Sequence, residues 1–528
     1  MRVFGSDRWD ARRERGPRSR AHKFLTRAGL VVFVLLAIPT AAAALLWSRA
    51  ETSNVGQLEF ERKLAIPPLL EPTEDEAGTK IFDLEMSEGT SELLVGEATH
   101  TWGFNGPYLG PTLRASRGDR VRMRVSNALP ETSTVHWHGM HLPAAADGGP
   151  HQTIEPGKTW SPSWTIDQPA ASLWYHPHMM GETEEHVYRG LAGVFILDDP
   201  RSDELELPRE YGVDDIPLIV QDKRFEEDGE LSDSQGLISP IGQLGDQILV
   251  NGTSDPYLTI STTRVRLRLL NGSSARSYDF GFADDREFDL IATDGGLLEA
   301  PEPMDRIQLS PGERAEIVVE VEPGEEVVLR SFEPDLGAVD FFNARFVGAD
   351  DSFDILELRA EDELEESPPV PTVLTPQEAP DASEAQGVRR FELGSRDIND
   401  VEMDMSRVDQ TVPVDTTEIW EIENRAGIPH NFHVHDTRFE VLEYAGEPPE
   451  AALGGLKDTV LIPPGETVRI VVRFSGYTDP STPYMFHCHL LEHEDRGMMG
   501  QFVVVEPGED AEEPTAHGEP GHNHAEDH

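Results

Sequence analysis

One alternating segment that ends in asparagine occurs three times along the chain, and it restricts the fold more than any other feature. The copies are RVRMRVSN (Arg120 to Asn127), RVRLRLLN (Arg264 to Asn271) and EIWEIEN (Glu418 to Asn424). Each is followed, after some distance, by a Pro-Gly turn that opens another alternating strand. These are IEPGKTWSPSWTI from Ile154, LSPGERAEIVVEV from Leu309 and IPPGETVRIVVRF from Ile462. Period-two alternation punctuated by Gly, Pro and Asn marks strands with one face buried, the pattern of a β-sandwich. Three spaced copies predict an all-β protein of three tandem Greek-key sandwiches. The 528 residues are enough for three such cores, and helix is expected to be scarce.

Charged gaps set the expected boundaries. Residues 51–77 read as a linker into a first domain at 78–200, and RSDELELPREYG (Arg201 to Gly212) leads into a second at 205–350. The acidic, Pro-rich 351–387, above all Glu361 to Gly387, is expected to be a mobile or extended linker. A third domain is expected at 388–507. The polar tail 508–528, with His517, His522, His524 and His528, is expected to be disordered. Those histidines could collect metal, or the tail could be merely solvated.

The first 50 residues have a different character. An Arg-rich stretch, Arg12 to Arg27, precedes an apolar run from Ala28 to Trp47. Basic flanks stay in the cytoplasm, so the chain beyond Trp47 is expected outside it. The run fits either a membrane anchor or a cleaved signal peptide. The formal charge is −54, which repels nucleic acid and draws cations, or simply keeps the surface soluble.

Of nineteen histidines, ten fall in four clusters: HWHG (His136, His138), HPH (His176, His178), HNFHVH (His430, His433, His435) and HCHLLEH (His487, His489, His493). HWHG and HNFHVH follow the Asn-ending strands of the first and third domains. HPH and HCH follow the Pro-Gly strands of the same two domains. The second domain has NGSSARSYDF and VVLRSFEP at those places, with no ligand. Paired clusters at equivalent positions indicate a metal site shared by the first and last domains, with the middle one a spacer. His100 and His186 read as ordinary polar groups, and His141 and His151 flank motif residues without being ligands themselves.

The only cysteine, Cys488, stands between two of these histidines and has no partner for a disulfide. Residues two apart on a strand share a face and the one between faces away. His487 and His489 therefore look into one cavity and Cys488 into another. Thiolate, two imidazoles and a thioether form the ligand set of a blue electron-transfer copper, and Cys488, His430, His493 and Met498 supply it. Zinc is the rival, but one Cys, one Met and ten His match no structural zinc pattern.

With HCHLLEHEDRGMM (His487 to Met499) and the other three motifs intact and in order, residues 77 to 507 resemble the multicopper oxidases. Within that family the likeness is to the three-domain bacterial group that contains copper-efflux oxidase and spore-coat laccase. The resemblance implies cupredoxin-like domains and four copper ions. A type 1 copper would take His430, Cys488, His493 and axial Met498, and a type 2 copper His136 and His433. A type 3 pair would take His138, His176, His178, His435, His487 and His489. It also implies four one-electron oxidations of a donor coupled to reduction of O2 to water, with Cys488 carrying electrons between sites. Asp147 and Glu494 match the acidic residues that serve proton transfer in the family.

The donor is less defined. The efflux oxidases add a methionine-rich segment, whereas here only Met403 and Met405 cluster, and ENRAGIPH before His430 lacks the Asp and Met used there. The acidic surface favours a metal-ion donor, and an axial Met suits easily oxidised phenols. Some proteins of this fold have lost their coppers and serve structurally in the cell envelope. Here all twelve family ligands are present, which favours an enzyme over that class and over a copper-binding protein without turnover.

Overall fold

The structure, a computed structural model, describes residues 52–232 and 239–514 together with Trp47 and Ala50. The expected anchor or signal, apart from Trp47, and the four tail histidines lie outside the described residues. Among those described, no helix is long and apolar enough to cross a membrane.

Six sheets form three sandwiches. In the first, the strands Lys80–Ser91, Arg120–Asn127 and Thr99–Phe104 belong to one sheet. Its partner orders Leu113–Ser116, Gly193–Asp198, Ala171–His176 and His136–His138. Phe82, Leu84, Trp137, Tyr175 and Phe195 fill the space between them. The second sandwich pairs a seven-stranded with a six-stranded sheet, and the third two five-stranded sheets around Trp420, Phe432, Phe486 and Phe502. Among the named elements, α-helix is confined to Thr183–Arg189 and Leu491–Asp495.

The repeat asparagines explain why the three copies look alike. Asn127 donates through its amide to Glu131 O at 2.8 Å and Ile154 O at 2.7 Å, and accepts from Leu129 N at 2.9 Å. Asn271 does the same with Arg276 O, Leu309 O and Ser273 N. Asn424 repeats it with Ile428 O, Ile462 O and Ala426 N. All three are buried. Each also accepts, through its main-chain oxygen, from the glycine of its Pro-Gly turn: Gly157, Gly312 and Gly465. One side chain thus ends a strand, shapes the next loop and holds the later turn, satisfying buried main-chain groups that would otherwise lose their hydrogen bonds.

Two expected linkers are built into sheets. Phe353–Glu365, inside the stretch read as acidic linker, is a 13-residue strand between Pro256–Thr262 and Glu326–Phe332 in the second sandwich. The acidic residues misled because the strand buries Phe353, Ile355, Leu356 and Leu358 while turning Glu361 to Glu363 outward. The second domain accordingly runs past residue 350. Within 51–77, Arg62–Lys63 pairs in parallel with Pro256 and Tyr257, and Asn54 exchanges hydrogen bonds with Asp354. That segment is held by the second domain as well as leading into the first.

Candidate metal centres

Strand alternation divides the donor side chains into two groups. His136 and His138 lie on one short strand paired with Ala171–His176, with His136 opposite His176. His433 and His435 are two apart, at the end of His430–Val434, and His433 pairs with His487. His430 is three residues from His433 and so faces the other way. By the same rule Cys488 turns its back on His487 and His489.

Eight imidazoles converge where the first and third domains meet. His138, His176 and His489 form one triad and His178, His435 and His487 a second, each with donor atoms within 4.8 Å of one another. In the second triad His487 Nε2 lies 3.2 Å from both His178 Nε2 and His435 Nε2. In the first, His138 Nδ1 lies 3.4 Å from His176 Nε2. His136 and His433 stand beside both triads, stacked on His435 and His138 at 3.8 and 3.7 Å between ring centres. All eight are 0–1% exposed.

Carboxylates hold the outer edges of this cluster. Asp147 Oδ2 accepts from His435 Nδ1 at 2.8 Å, and Asp147 O accepts from His136 Nδ1 at 2.9 Å. Glu494 bridges two rings, its oxygens 3.2 Å from His178 Nδ1 and 3.2 Å from His487 Nδ1. Burial alone would raise the Glu494 carboxyl, but His178 and His487 hold it well below the ordinary carboxylate range. Asp458, which was not among the residues expected at the site, accepts from His138 Nε2 at 3.1 Å and through its main-chain oxygen from His433 Nδ1 at 2.8 Å. Nothing in the spacing of Lys457 to Val460 marks it.

The second group belongs to the third domain alone. Cys488 Sγ lies 3.6 Å from His430 Nδ1 and 3.9 Å from His493 Nδ1, and those two nitrogens are 3.2 Å apart. Met498 is fully buried, and its main chain is bonded to both Cys488 N and His493 O. Asn431, inside the HNFHVH motif but not predicted as functional, lies 3.6 Å from the sulfur and accepts from His489 N at 2.6 Å. It stands between the two groups.

Both groups fit a metal. Burial lowers His430, His433, His435, His138 and His176 well below the usual imidazole value and takes His178 and His489 to about 3, so these rings are neutral donors. Burial pushes the Cys488 thiol up to about 12, a group that needs a cation to ionise. His136 Nε2, His433 Nε2 and both ring nitrogens of His489 are buried without a hydrogen-bond partner. Such atoms each cost about 1–3 kcal/mol unless something else engages them. Bonds of about 2.0 Å to imidazole and about 2.3 Å to thiolate reproduce donor edges like those around Cys488.

The remaining histidines have other duties. His141 Nδ1 bonds Asp436 Oδ1 at 2.8 Å, and His151 Nε2 bonds Gln501 Oε1 at 2.8 Å. His186 is buried between Ser133 and Glu131, and exposed His100 pairs with Glu230. Met403 N is bonded to Gly497 O, beside the Cys488 loop, while exposed Asp404 accepts through Oδ1 from Ser406 N and Oγ.

Three cupredoxin-type sandwiches, with a histidine cluster shared by the outer two and a separate group of one cysteine and two histidines, define a copper protein of the oxidase type. The chain belongs to the multicopper oxidase family. Three profiles, each described as multicopper oxidase, match residues 85–202, 226–327 and 365–508. The chain is similar to multicopper oxidase mco of Staphylococcus aureus, 35% identical over 460 residues, covering 86% of this chain and 94% of that protein. It is also similar to cell division protein FtsP of Xenorhabdus nematophila, 36% identical over 458 residues, covering 84% and 93%. Among solved structures it resembles a laccase-like multi-copper oxidase, CueO, from the lignin-degrading Ochrobactrum sp. That protein has oxidase activity towards lignin model compounds and lignosulfonate. The TM-score is 0.76 at 34% identity, covering 84% of this chain and 100% of the other.

Proposed function

We propose that the chain is an extracytoplasmic copper oxidase that draws single electrons from a small phenolic donor and delivers them to O2. The observation that carries this reading is the pairing of two complete donor groups through one peptide. Cys488 belongs to one group, and its covalent neighbours His487 and His489 belong to the other. His430, Cys488 and His493 with Met498 would hold a type 1 copper, and His136 with His433 a type 2. His138, His176 and His489 would hold one member of a type 3 pair, and His178, His435 and His487 the other. Copper so bound supplies one-electron redox chemistry and reduction of O2 to water.

The chain's own residues supply position and protons. Asp147 fixes the Nδ1 proton of His435 and Glu494 faces the Nδ1 atoms of His178 and His487. Both carboxylates are 1% exposed, and their contacts with cluster rings support a role in passing protons as O2 is reduced. Asn431 couples the sulfur side to the main chain of His489.

Electron entry is indirect. His493 is fully buried and donates through Nε2 to Pro240 O at 2.8 Å. Beyond Pro240 lies a cavity of about 320 Å³ lined also by Asn343, Ser395, Arg396 and the turn at 426–428. Arg396, paired with Glu492 at 3.2 Å, is the single charged side chain among the described lining residues, so no carboxylate among them seats a cationic donor, which supports a phenol.

Relatives named cell division protein FtsP support a second reading, a role in the cell envelope or division in which this chain does not turn over a donor. Oxygen uptake by the copper-loaded chain separates the two, with a methoxyphenol and cuprous ion as donors and Cys488→Ser as the blank. Uptake with the phenol that vanishes in the variant supports the oxidase. A much faster rate with cuprous ion would move the role to copper detoxification, and no uptake with either donor at full copper occupancy would leave the envelope role.

A further inference from the structure

The middle domain is expected to supply no ligand, yet it reaches the histidine cluster through Arg314 and the Pro-Gly turn before it. We propose that Arg314 is a positioning residue for the cluster: acting through Asp458, it makes His138 present Nδ1 rather than Nε2 to the copper-binding cavity. This rests on the copper assignment above.

Arg314 is 1% exposed and stands just after the Pro-Gly turn of the second repeat. All five of its guanidinium N–H donors are used. Nη1 and Nη2 grip the Asp458 carboxylate at 2.7 and 2.6 Å, a fork on a fork. Their other hydrogens go to Gly312 O at 3.1 Å and Asp294 O at 3.0 Å. Nε donates to Ser172 O at 3.0 Å, on the strand that ends in His176. One planar group therefore ties together a first-domain strand, a second-domain turn and a third-domain carboxylate.

Asp458, so held, engages His138 Nε2 at 3.1 Å, and Thr459 Oγ1 is 3.2 Å from the same nitrogen. That leaves His138 Nδ1 facing His176 Nε2. Fixing one ring nitrogen by a carboxylate decides which one remains to bind metal. The same turn touches the cluster directly. Gly312 has φ +88°, and a Cβ there would lie 3.2 Å from the His489 ring, so this approach requires glycine. A lysine cannot reproduce the contact, because an ammonium offers three donors and no fork.

The test uses the full chain loaded with copper, in Arg314→Lys and Asp458→Asn. Arg276→Lys serves as a control, since Arg276 is an equally buried arginine of the same domain that pairs with Asp222 and Asp351. Three readouts are needed: the visible thiolate-copper absorption, the type 2 electron paramagnetic resonance signal, and copper retained against a chelator. Wild type must first take up copper at both groups. If it does not, the copper reading fails before this one is reached. The expected result is an unchanged visible band, with cluster copper held about 10- to 100-fold more weakly in both cluster variants, the usual loss when a ligand's outer partner is removed. Retention in Arg276→Lys should stay within about twofold of wild type. Equal loss of retention in the control, or cluster copper held as tightly as wild type in Arg314→Lys and Asp458→Asn, would overturn the proposal. If Arg314→Lys loses the visible band and so fails to fold, Asp458→Asn alone decides it, being nearly isosteric.

Discussion

The two donor groups differ in how they are made. The Cys488 group takes its ligands from one domain, around one sheet and the short helix Leu491–Asp495, and its outer contacts are the Asn431 amide, the Pro240 carbonyl, apolar side chains and one carboxylate, Glu492, 3.7 Å from His493 Nε2. The eight-histidine group exists only where two domains meet, and three buried carboxylates, Asp147, Glu494 and Asp458, hold its rings from outside. Chain connectivity brings the ligands of the first together within one domain, with Pro240 O and Pro311 O of the middle domain touching it from outside. The second depends on interdomain packing and on charges that need their partners. Each group should therefore respond to substitution without the other changing, except at the few residues that join them.

Cys488→Ser gives the largest expected effect. It should abolish the visible absorption and bring oxygen uptake down to the uncatalysed blank while the histidine cluster keeps its copper. Loss of cluster copper in that variant would break the distinction. Glu494→Gln and Asp147→Asn should act on the other side. Copper content and the visible band should stay, while steady-state oxygen reduction falls by up to about 10²- to 10⁴-fold, the usual range for a proton-transfer group.

Asn431→Ala tests the joint itself. It removes bonds to Pro311 O at 2.9 Å and His489 N at 2.6 Å, so it should shift the visible band and cost about 1–3 kcal/mol in unfolding experiments. Met498→Leu should leave copper content unchanged and raise the type 1 potential in redox titration, because a weak donor is lost.

The smallest effect lies outside both groups. Burial pushes Asp279, in the middle domain, up to about 6, above its unfolded value of 3.8. A raised carboxyl stabilises most below the unfolded value and loses that contribution as pH rises through about 6. Asp279→Asn should therefore raise the melting temperature at pH 8 relative to wild type more than at pH 4, with no change in the copper spectra.

Much of the fold was readable because the same local solution occurs three times. Asn127, Asn271 and Asn424 each end a strand and hold a Pro-Gly turn, so pattern and structure coincide there. The strand Phe353–Glu365 was hidden because its outward glutamates dominate its composition, while its buried Phe, Ile and Leu follow no clean alternation. In the site, spacing reveals residues whose partners are near in sequence: His136 with His138, or Cys488 between its two histidines. Asp458 and Arg314 meet from 144 positions apart; Asp458 sits in no recognisable motif, and Arg314, though inside the second Pro-Gly repeat, has Thr159 and Thr467 at its counterpart positions. Charged residues at that separation are ordinary in a chain with 98 Asp+Glu, and only packing shows that these two face the cluster.

The most direct measurement is copper content together with absorption and paramagnetic resonance spectra for wild type and Cys488→Ser, both fully loaded. The variant should lose one equivalent of copper and the entire visible band, while the type 2 signal and the remaining copper match wild type. A visible band that survives the substitution, or a wild type that binds copper without showing that band, would mean that Cys488 is not a copper ligand.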